Sequence, residues 1–413
     1  MAFPWMLSSS LALSSSSNLS WTLPKVQFHP STRSVNCISN CGFSAEDDLK
    51  FVLHDALDFS GIDTAHARAA RVGFCSQIKR FSDLERGTSI TINRGVDLAR
   101  AALQIAAEDD ALISHSSVPL PVDDFIDRLD NLSMGYCSQY SSSFRSTPEK
   151  FLDCLERYLY LNKGFRRTST RNHVEHRALY LNSVLTHRSG SVSMLSLIYS
   201  EILKMLRIWG VLNFDVEIFF PHDSHSSPRG YLKQKSKESD QSHIMTSQSL
   251  LVEILKDLKN AFWPFQLNHA RSPFLRAAEA AHCVTGSSNA KESASQLASS
   301  KAARHRLQRG VWTSVHFGDM RRALSACERL ILLKHDPKDL RDYAVLLYHC
   351  EYYEEALQFL KHYQDTKQSG SDIEIEEDAV EKLVVRLNLI LMEVGWSRKP
   401  EPRNILFNNS EPW

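Results

Sequence analysis

The chain has 413 residues, 43% of them hydrophobic and 23% charged, enough to bury one sizeable core or two modest ones. Its 48 Lys and Arg residues balance 48 Asp and Glu residues, so no overall field draws it to nucleic acid or anionic lipid. The longest apolar run, Met194 to Leu206, is broken by Ser200, Glu201 and Lys204; it falls short of the roughly 20 apolar residues a spanning helix requires, and no integral membrane segment is expected.

Residues 1–37 are rich in serine, have only Lys25 and Arg33 as basic residues, and precede the first acid, Glu46. This composition reads as an organellar transit peptide. No basic residue precedes an apolar segment as in a secretory signal, and the single arginine is too few for a mitochondrial presequence. The expected compartment is the chloroplast stroma, with Val35-Asn36-Cys37 as the context of cleavage. The eight cysteines form no CxxC pair and no regular spacing, which argues against a zinc ribbon, a redox motif or a disulfide framework.

Residues 48–94 show mixed helical periodicity (Phe51, Leu53, Ala56, Leu57) and are expected to hold one or two helices. From residue 95 the pattern sharpens. DLARAALQIAAEDD places Leu98, Ala102, Ile105 and Ala106 on one helix face, with its acids on the other. DDFIDRLDNLSMGY follows as a second amphipathic helix, and Thr147-Pro148-Glu149 opens a third. A short helix over 178–185 precedes RSGSVSMLSLIYSEILKML, which Gly210 terminates. Val211 to Phe220 reads as the one strand, and the polar stretch 224–247 as an exposed insertion. SLLVEILKDLKNAFW returns to helix, and the low-complexity stretch 285–300 reads as a linker.

Beyond the linker an internal repeat is expected over 301–396, followed by a tail over 397–413. FGDMRRALSACERLILLKHDP and CEYYEEALQFLKHYQ align Ala323-Leu324 with Ala356-Leu357, close to the ~34-residue period of tetratricopeptide repeats. Helices over Arg304–Phe317 and Lys338–His349 would complete two pairs, and EDAVEKLVVRLNLILMEVGW would cap them. The expected fold is mainly α, as α+β with a small sheet, followed by an α-helical repeat module.

The helix after Gly190 raises the chemical question. Ser193, Ser196, Ser200, Lys204 and Arg207 share one face of an otherwise apolar helix. Such a stripe either lets a neighbouring backbone approach closely or places a hydroxyl at the positive end of the helix dipole, where an oxyanion is stabilised. His222 lies in a loop beside Asp223; a histidine there is either solvated or poised for catalysis. His222 and His225 at i, i+3, and His173 with His176, lack the further ligands a metal site needs, so no metal or cofactor is expected. The basic loop from Lys163 to Arg171 has only Phe165 interleaved, and no nucleic-acid partner is expected.

The order DLARAALQIA, DDFIDRLDNL, LNKGF, YLNSVLTHRSGSVSMLSLIYSEILKML, strand, and DLRDYAVLLYHCEYYEEALQFLKHY resembles the transglutaminase-like "SirB-one" family over Asp97 to about Phe220 and Gly310 to Trp396. The resemblance implies a helical transglutaminase-like core over 95–284 joined to tetratricopeptide-like repeats. It also implies that active relatives carry a cysteine two residues after the glycine of the turn, with a histidine and an aspartate from the sheet. The thiolate is the nucleophile in such sites. Here that position is Val192, which has no nucleophilic atom, and the family's Pro-Gly-His-Phe turn is represented only by Pro221-His222-Asp223. The expected function is a non-catalytic scaffold or adaptor that binds a protein or peptide through the C-terminal repeats. The alternative is a cryptic hydrolase or amide-transfer enzyme using Ser193 or Ser196 with His222.

Overall fold

A computed structural model of the chain describes residues 51–59, 61–85, 97–114, 118–168, 176–223, 226–235, 237, 243–265, 272–283, 318–334, 336–366 and 374–397. They lie in one compact unit, Ala45–Trp413. The expected leader over 1–37, the linker over 285–300, the helix over 304–317 and tail residues 398–413 lie outside the described residues.

Among the described residues thirteen α-helices follow one another: α1 (Val52–Phe59), α2 (Ala65–Glu85), α3 (Leu98–Ser114), α4 (Val122–Gln139), α5 (Pro148–Glu156), α6 (Leu181–His187), α7 (Val192–Ile208), α8 (Ser247–Phe262), α9 (Pro273–Ala280), α10 (Met320–Leu332), α11 (Lys338–His349), α12 (Tyr353–Thr366) and α13 (Glu374–Ser397). Strands β1 (Arg166–Arg167) and β2 (Ser189–Gly190) pair in parallel. Strand β3 (Val216–Phe219) is the centre of an antiparallel sheet between β4 (Arg229–Leu232) and β5 (Ile244–Met245). The architecture is mainly α with a small sheet.

Two expectations are corrected by the sheet. The strand read over Val211–Phe220 is regular only over Val216–Phe219, because the chain first turns at Gly210 (φ +72°) to leave α7. The segment 224–247, read as an exposed insertion, supplies both partners of β3. Its polar side chains hide strands whose stability comes from pairing and from close packing. Gly230 is one such contact: a Cβ there would lie 2.6 Å from Leu152 Cδ2 and 2.9 Å from the Tyr199 hydroxyl.

α7 is the most deeply buried helix of this part, with Leu197, Ile202, Leu203 and Leu206 fully enclosed against α4, α8 and α3. A helix apolar nearly all round is stable only when surrounded. Helices α10 to α13 stack in order, and Ala323 and Ala356, aligned in the sequence, are both fully buried.

These C-terminal helices share their core with the helices before residue 284. α10 lies on α8, and α9 packs against α11 and α13. The chain re-enters at Gly318 (φ +71°), where a Cβ would lie 2.4 Å from Pro264 Cα and 2.5 Å from the Trp263 carbonyl oxygen. The next residue donates its N–H to the Phe262 carbonyl (2.8 Å), and the Asp319 side chain caps α10 by accepting from the Arg321 N–H (3.1 Å). Only glycine combines this left-handed backbone with this approach.

Ionic clusters seal the junction. The helical pattern sets the acids of α3 opposite its apolar face, yet Glu108 and Asp109 are buried, 0% and 1% exposed. Arg71 of α2 grips Glu108 with both arms of its guanidinium (2.6 and 2.8 Å) and reaches Glu328 of α10 (2.9 Å). Arg329 pairs with Asp109 (2.6 Å) and Glu108 (3.1 Å). Ser325 donates to Glu108 (2.7 Å), Tyr343 to Glu328 (2.8 Å), and the Leu53 N–H to Glu328 (3.0 Å). The burial that penalises the Glu108 charge is outweighed by Arg329 and Arg71, which hold its carboxyl well below the usual range.

A second cluster lies further along. Lys259 of α8 meets Asp339 and Asp342 of α11 (both 2.8 Å). Arg341 joins Glu376 of α13 (2.7 Å), which accepts from Ser272 at the start of α9 (2.6 Å). The Leu-Arg-Asp segment 340–342 thus has a structural use.

Breaking a buried pair costs about 3–5 kcal/mol, since a charge is left uncompensated. Arg329→Met is expected to lower stability by this amount in urea at pH 7. Because the Glu108 pKa is depressed, its contribution is present above the ordinary carboxyl pKa and is lost as pH falls through the folded value. The difference between wild type and variant should therefore shrink below about pH 4. Gly318→Ala is expected to cost at least about 1–2 kcal/mol from backbone conformation alone, read as a shift of the urea midpoint.

Candidate functional site

The turn before α7 is set by three local constraints. Arg188 ends α6 in the left-handed conformation (φ 57°), donating its N–H to the Val184 carbonyl (2.8 Å). Gly190 lies against Val184, where a Cβ would be 2.8 Å from Cγ1. Ser191 is the N-cap of α7, and its hydroxyl accepts the Met194 N–H (3.2 Å). One of the first-turn donors that could face an oxyanion is thereby taken by the helix itself.

Val192 is the first residue of α7 and is 9% exposed, packed into the core. Ser193 is 1% exposed and donates its hydroxyl to Asp257 Oδ2 of α8 (2.6 Å). Burial raises the Asp257 pKa to about 6, opposed by the Ser193 hydrogen bond. Ser196 is fully buried and its hydroxyl has no hydrogen-bond partner. Further along the same face Lys204 is paired with Glu201, and Arg207 donates to the Phe214 carbonyl (2.7 Å) and Asp215 (2.9 Å). The stripe is absorbed by packing.

The histidine loop does come to this turn. Arg207 fixes Asp215 at the last turn of α7, while Ile218, through its partner Gly230, lies at Tyr199. β3 therefore runs antiparallel to α7. Beyond Phe219 the strand ends, and His222 lies three residues further on, in the loop toward β4. A direct link exists as well. Arg167, paired with Gly190 across the β1–β2 ladder, donates to the carbonyls of Asp223 (2.6 Å) and Ser226 (2.8 Å). Part of the basic loop weighed for nucleic acid thus braces the histidine loop.

The His222 side chain is exposed. Its ring lies 4.6 Å from that of His243 and 5.7 Å from Phe220, and His243 stacks on Phe219 at 4.8 Å. The structure thus ties the His222 loop to the Gly190 turn through Arg167, while Ser193 turns to α8. Among the described residues no group of three metal-ligating side chains could hold an ion, and no helix is long and apolar enough to cross a membrane. Sequence reasoning missed Asp257, Arg167 and His243. Asp257 sits in an ordinary amphipathic pattern, and nothing local marks it. Glu156 was missed too: burial raises its pKa to about 7. It acts on Tyr199, about 10 Å along α7 from Val192.

Residues 123–209 match the family described as the transglutaminase-like superfamily. The match runs from α4 through α7, includes Val192, Ser193 and Ser196, and stops before β3 and His222. A transglutaminase-like domain is therefore present in this part of the chain. No curated protein matches the chain, and no solved structure does.

Ser193 stabilises the ionised form of Asp257, so Ser193→Ala should raise the Asp257 pKa further above about 6. The cost is greatest where Asp257 is charged in the wild-type fold: about 2 kcal/mol at pH 8, and about half that at pH 5. Urea titrations at the two pH values measure the difference.

Proposed function

We propose that this protein is a non-catalytic scaffold of the "SirB-one" type, which uses its transglutaminase-like part as structure and binds a protein or peptide with its C-terminal helices. One observation carries the reading. The position at which active relatives place their nucleophile holds a packed valine, and the neighbouring serine commits its hydroxyl to Asp257 in α8. In a working serine site the hydroxyl proton is taken by an imidazole, which the carboxylate orients from behind. A serine bonded straight to a carboxylate has no such base between them. Losing one triad member leaves only the residual acceleration of binding and oxyanion stabilisation.

The inner faces of α10 and α11 are occupied by the chain's own α8 and α9, so a partner is expected on the outward side of α12. Glu354, Gln358, Lys361 and Asp365 are exposed there, at i, i+4, i+7 and i+11, along one face. Contact with such a surface is made by many weak polar interactions rather than by chemistry. The chloroplast stroma is the compartment in this reading, carried by the composition of residues 1–37.

The alternative, a hydrolase or amide-transfer enzyme using Ser193 or Ser196 with His222, is favoured by one feature: Arg167 ties the His222 loop to the strand at Gly190. One experiment separates the two. The full chain is treated with a fluorophosphonate probe, and in parallel is used to retain partners from stromal extract beside a Glu354→Lys, Asp365→Lys variant. The scaffold reading predicts no labelling, and a partner lost in the variant with the melting temperature unchanged. Labelling that disappears in Ser193→Ala or Ser196→Ala, or retention of every partner by the variant, would contradict it.

A further inference from the structure

The charge of the chain cancels overall, 48 basic residues against 48 acidic ones, but one corner of the surface is unbalanced. Lys163, Arg166 and Arg188 converge where β1 pairs with β2. The Arg166 N–H donates to the Arg188 carbonyl (2.9 Å), and the Arg188 guanidinium donates in turn to the Lys163 carbonyl (3.0 Å). Arg128 of α4 reaches the same corner through Thr186 near the end of α6 (3.4 Å). Arg128, Arg166 and Arg188 are exposed and Lys163 is half-buried. Among the described residues no carboxylate pairs with any of the four. Leu161 stands at the rim of this cluster, two residues before Lys163. It is 74% exposed, more than any other large apolar side chain among the described residues.

We propose that this corner docks on a membrane surface carrying anionic lipid headgroups, with the four cations against the phosphates and Leu161 inserted at the boundary of the acyl chains. Two observations choose lipid over nucleic acid, the other polyanion that such cations fit. Single-stranded nucleic acid is held by rings on which its bases stack, and the rings here are already engaged. Tyr158 and Phe165 are 0% and 4% exposed, Lys163 Nζ lies 5.2 Å from the centre of the Tyr158 ring, and Tyr140 stacks on Tyr136 at 5.4 Å. Leu161 offers a nucleic acid neither stacking nor a hydrogen bond, whereas a bilayer interface takes up an exposed aliphatic side chain. Each cation close to an anionic surface is worth about 5-fold in partition, so four of them give reversible attachment with no spanning helix. This inference stands on the corner between α4, α6 and β1, and is independent of the readings of α7 and α12.

Flotation of the full chain with vesicles tests it. Vesicles of phosphatidylcholine containing about 30% phosphatidylglycerol should bind the protein at least about 10-fold better than phosphatidylcholine alone. That preference should fall as NaCl is raised from about 50 to about 500 mM. Arg166→Ala should lower the partition coefficient on the anionic vesicles about 5-fold, and Arg166→Lys should keep the wild-type value. Leu161→Ser should lower it by about 5-fold as well. Both side chains are exposed, so the melting temperature of each variant should equal that of the wild type. A single-stranded RNA is titrated in parallel and followed by fluorescence anisotropy. Equal partition on the two kinds of vesicle, partition unaltered in Arg166→Ala or in Leu161→Ser, or salt-sensitive capture of the RNA without binding to vesicles would overturn the proposal.

Discussion

The guanidinium of Arg71, held between Glu108 of α3 and Glu328 of α10, is the constraint on which the rest of the structure depends. A charge with no exposed surface is costly unless it is paired and hydrogen-bonded. Arg71 is paired with Glu108, 37 positions away, and with Ser325 and Glu328, 254 and 257 positions away. Arg329, bridging Glu108 and Asp109, repeats the demand from the other side. Removing the C-terminal helices would take Glu328 and Ser325 from Arg71, Arg329 and Ser325 from Glu108, and Asp339 and Asp342 from Lys259, so these helices cannot be treated as an appendage. What resembles a core followed by repeats is, among the described residues, one packed body. The ionic clusters fix how its two parts meet more strictly than an apolar interface of the same size would, because apolar contacts tolerate sliding and paired charges do not.

The same logic governs the turn before α7. The fold delivers the features a nucleophilic site would need: a tight turn at Gly190, a capped helix start and a histidine loop braced by Arg167. Three side chains at the turn have structural uses. Val192 contributes packing, Ser191 caps the helix, and the Ser193 hydroxyl is spent on a carboxylate in α8. Fold likeness carries no activity across such changes.

Much of this was legible before any coordinates. The periodicity of residues 98–106 gave the apolar face of α3, Gly210 ended α7 where a left-handed residue was needed, and the alignment of Ala323 with Ala356 picked out positions that are both buried. The failures share a cause. The run Glu108-Asp109-Asp110 reads as solvated unless Arg71 and Arg329 are known to face it, and no periodic signal links residues so far apart. β4 and β5 were hidden in a polar segment because they are two to four residues long and gain their stability from β3, not from their own propensity. Asp257 lies on a helix whose pattern is fully explained by packing. Local sequence specifies which face of an element is apolar, whereas the pairing of buried charges is a property of the assembled fold.

The claim that the C-terminal helices belong to the same cooperative body as α2 and α3 can be measured by native-state amide hydrogen exchange. If the buried arginine clusters bind these parts together, the slowest amides of α3 and those of α10 and α11 will exchange with the same free energy of opening and the same dependence on denaturant. Exchange of α10 and α11 through a separate, cheaper opening that leaves α2 and α3 protected would contradict this account, and would restore the picture of an independent repeat module on a flexible tether.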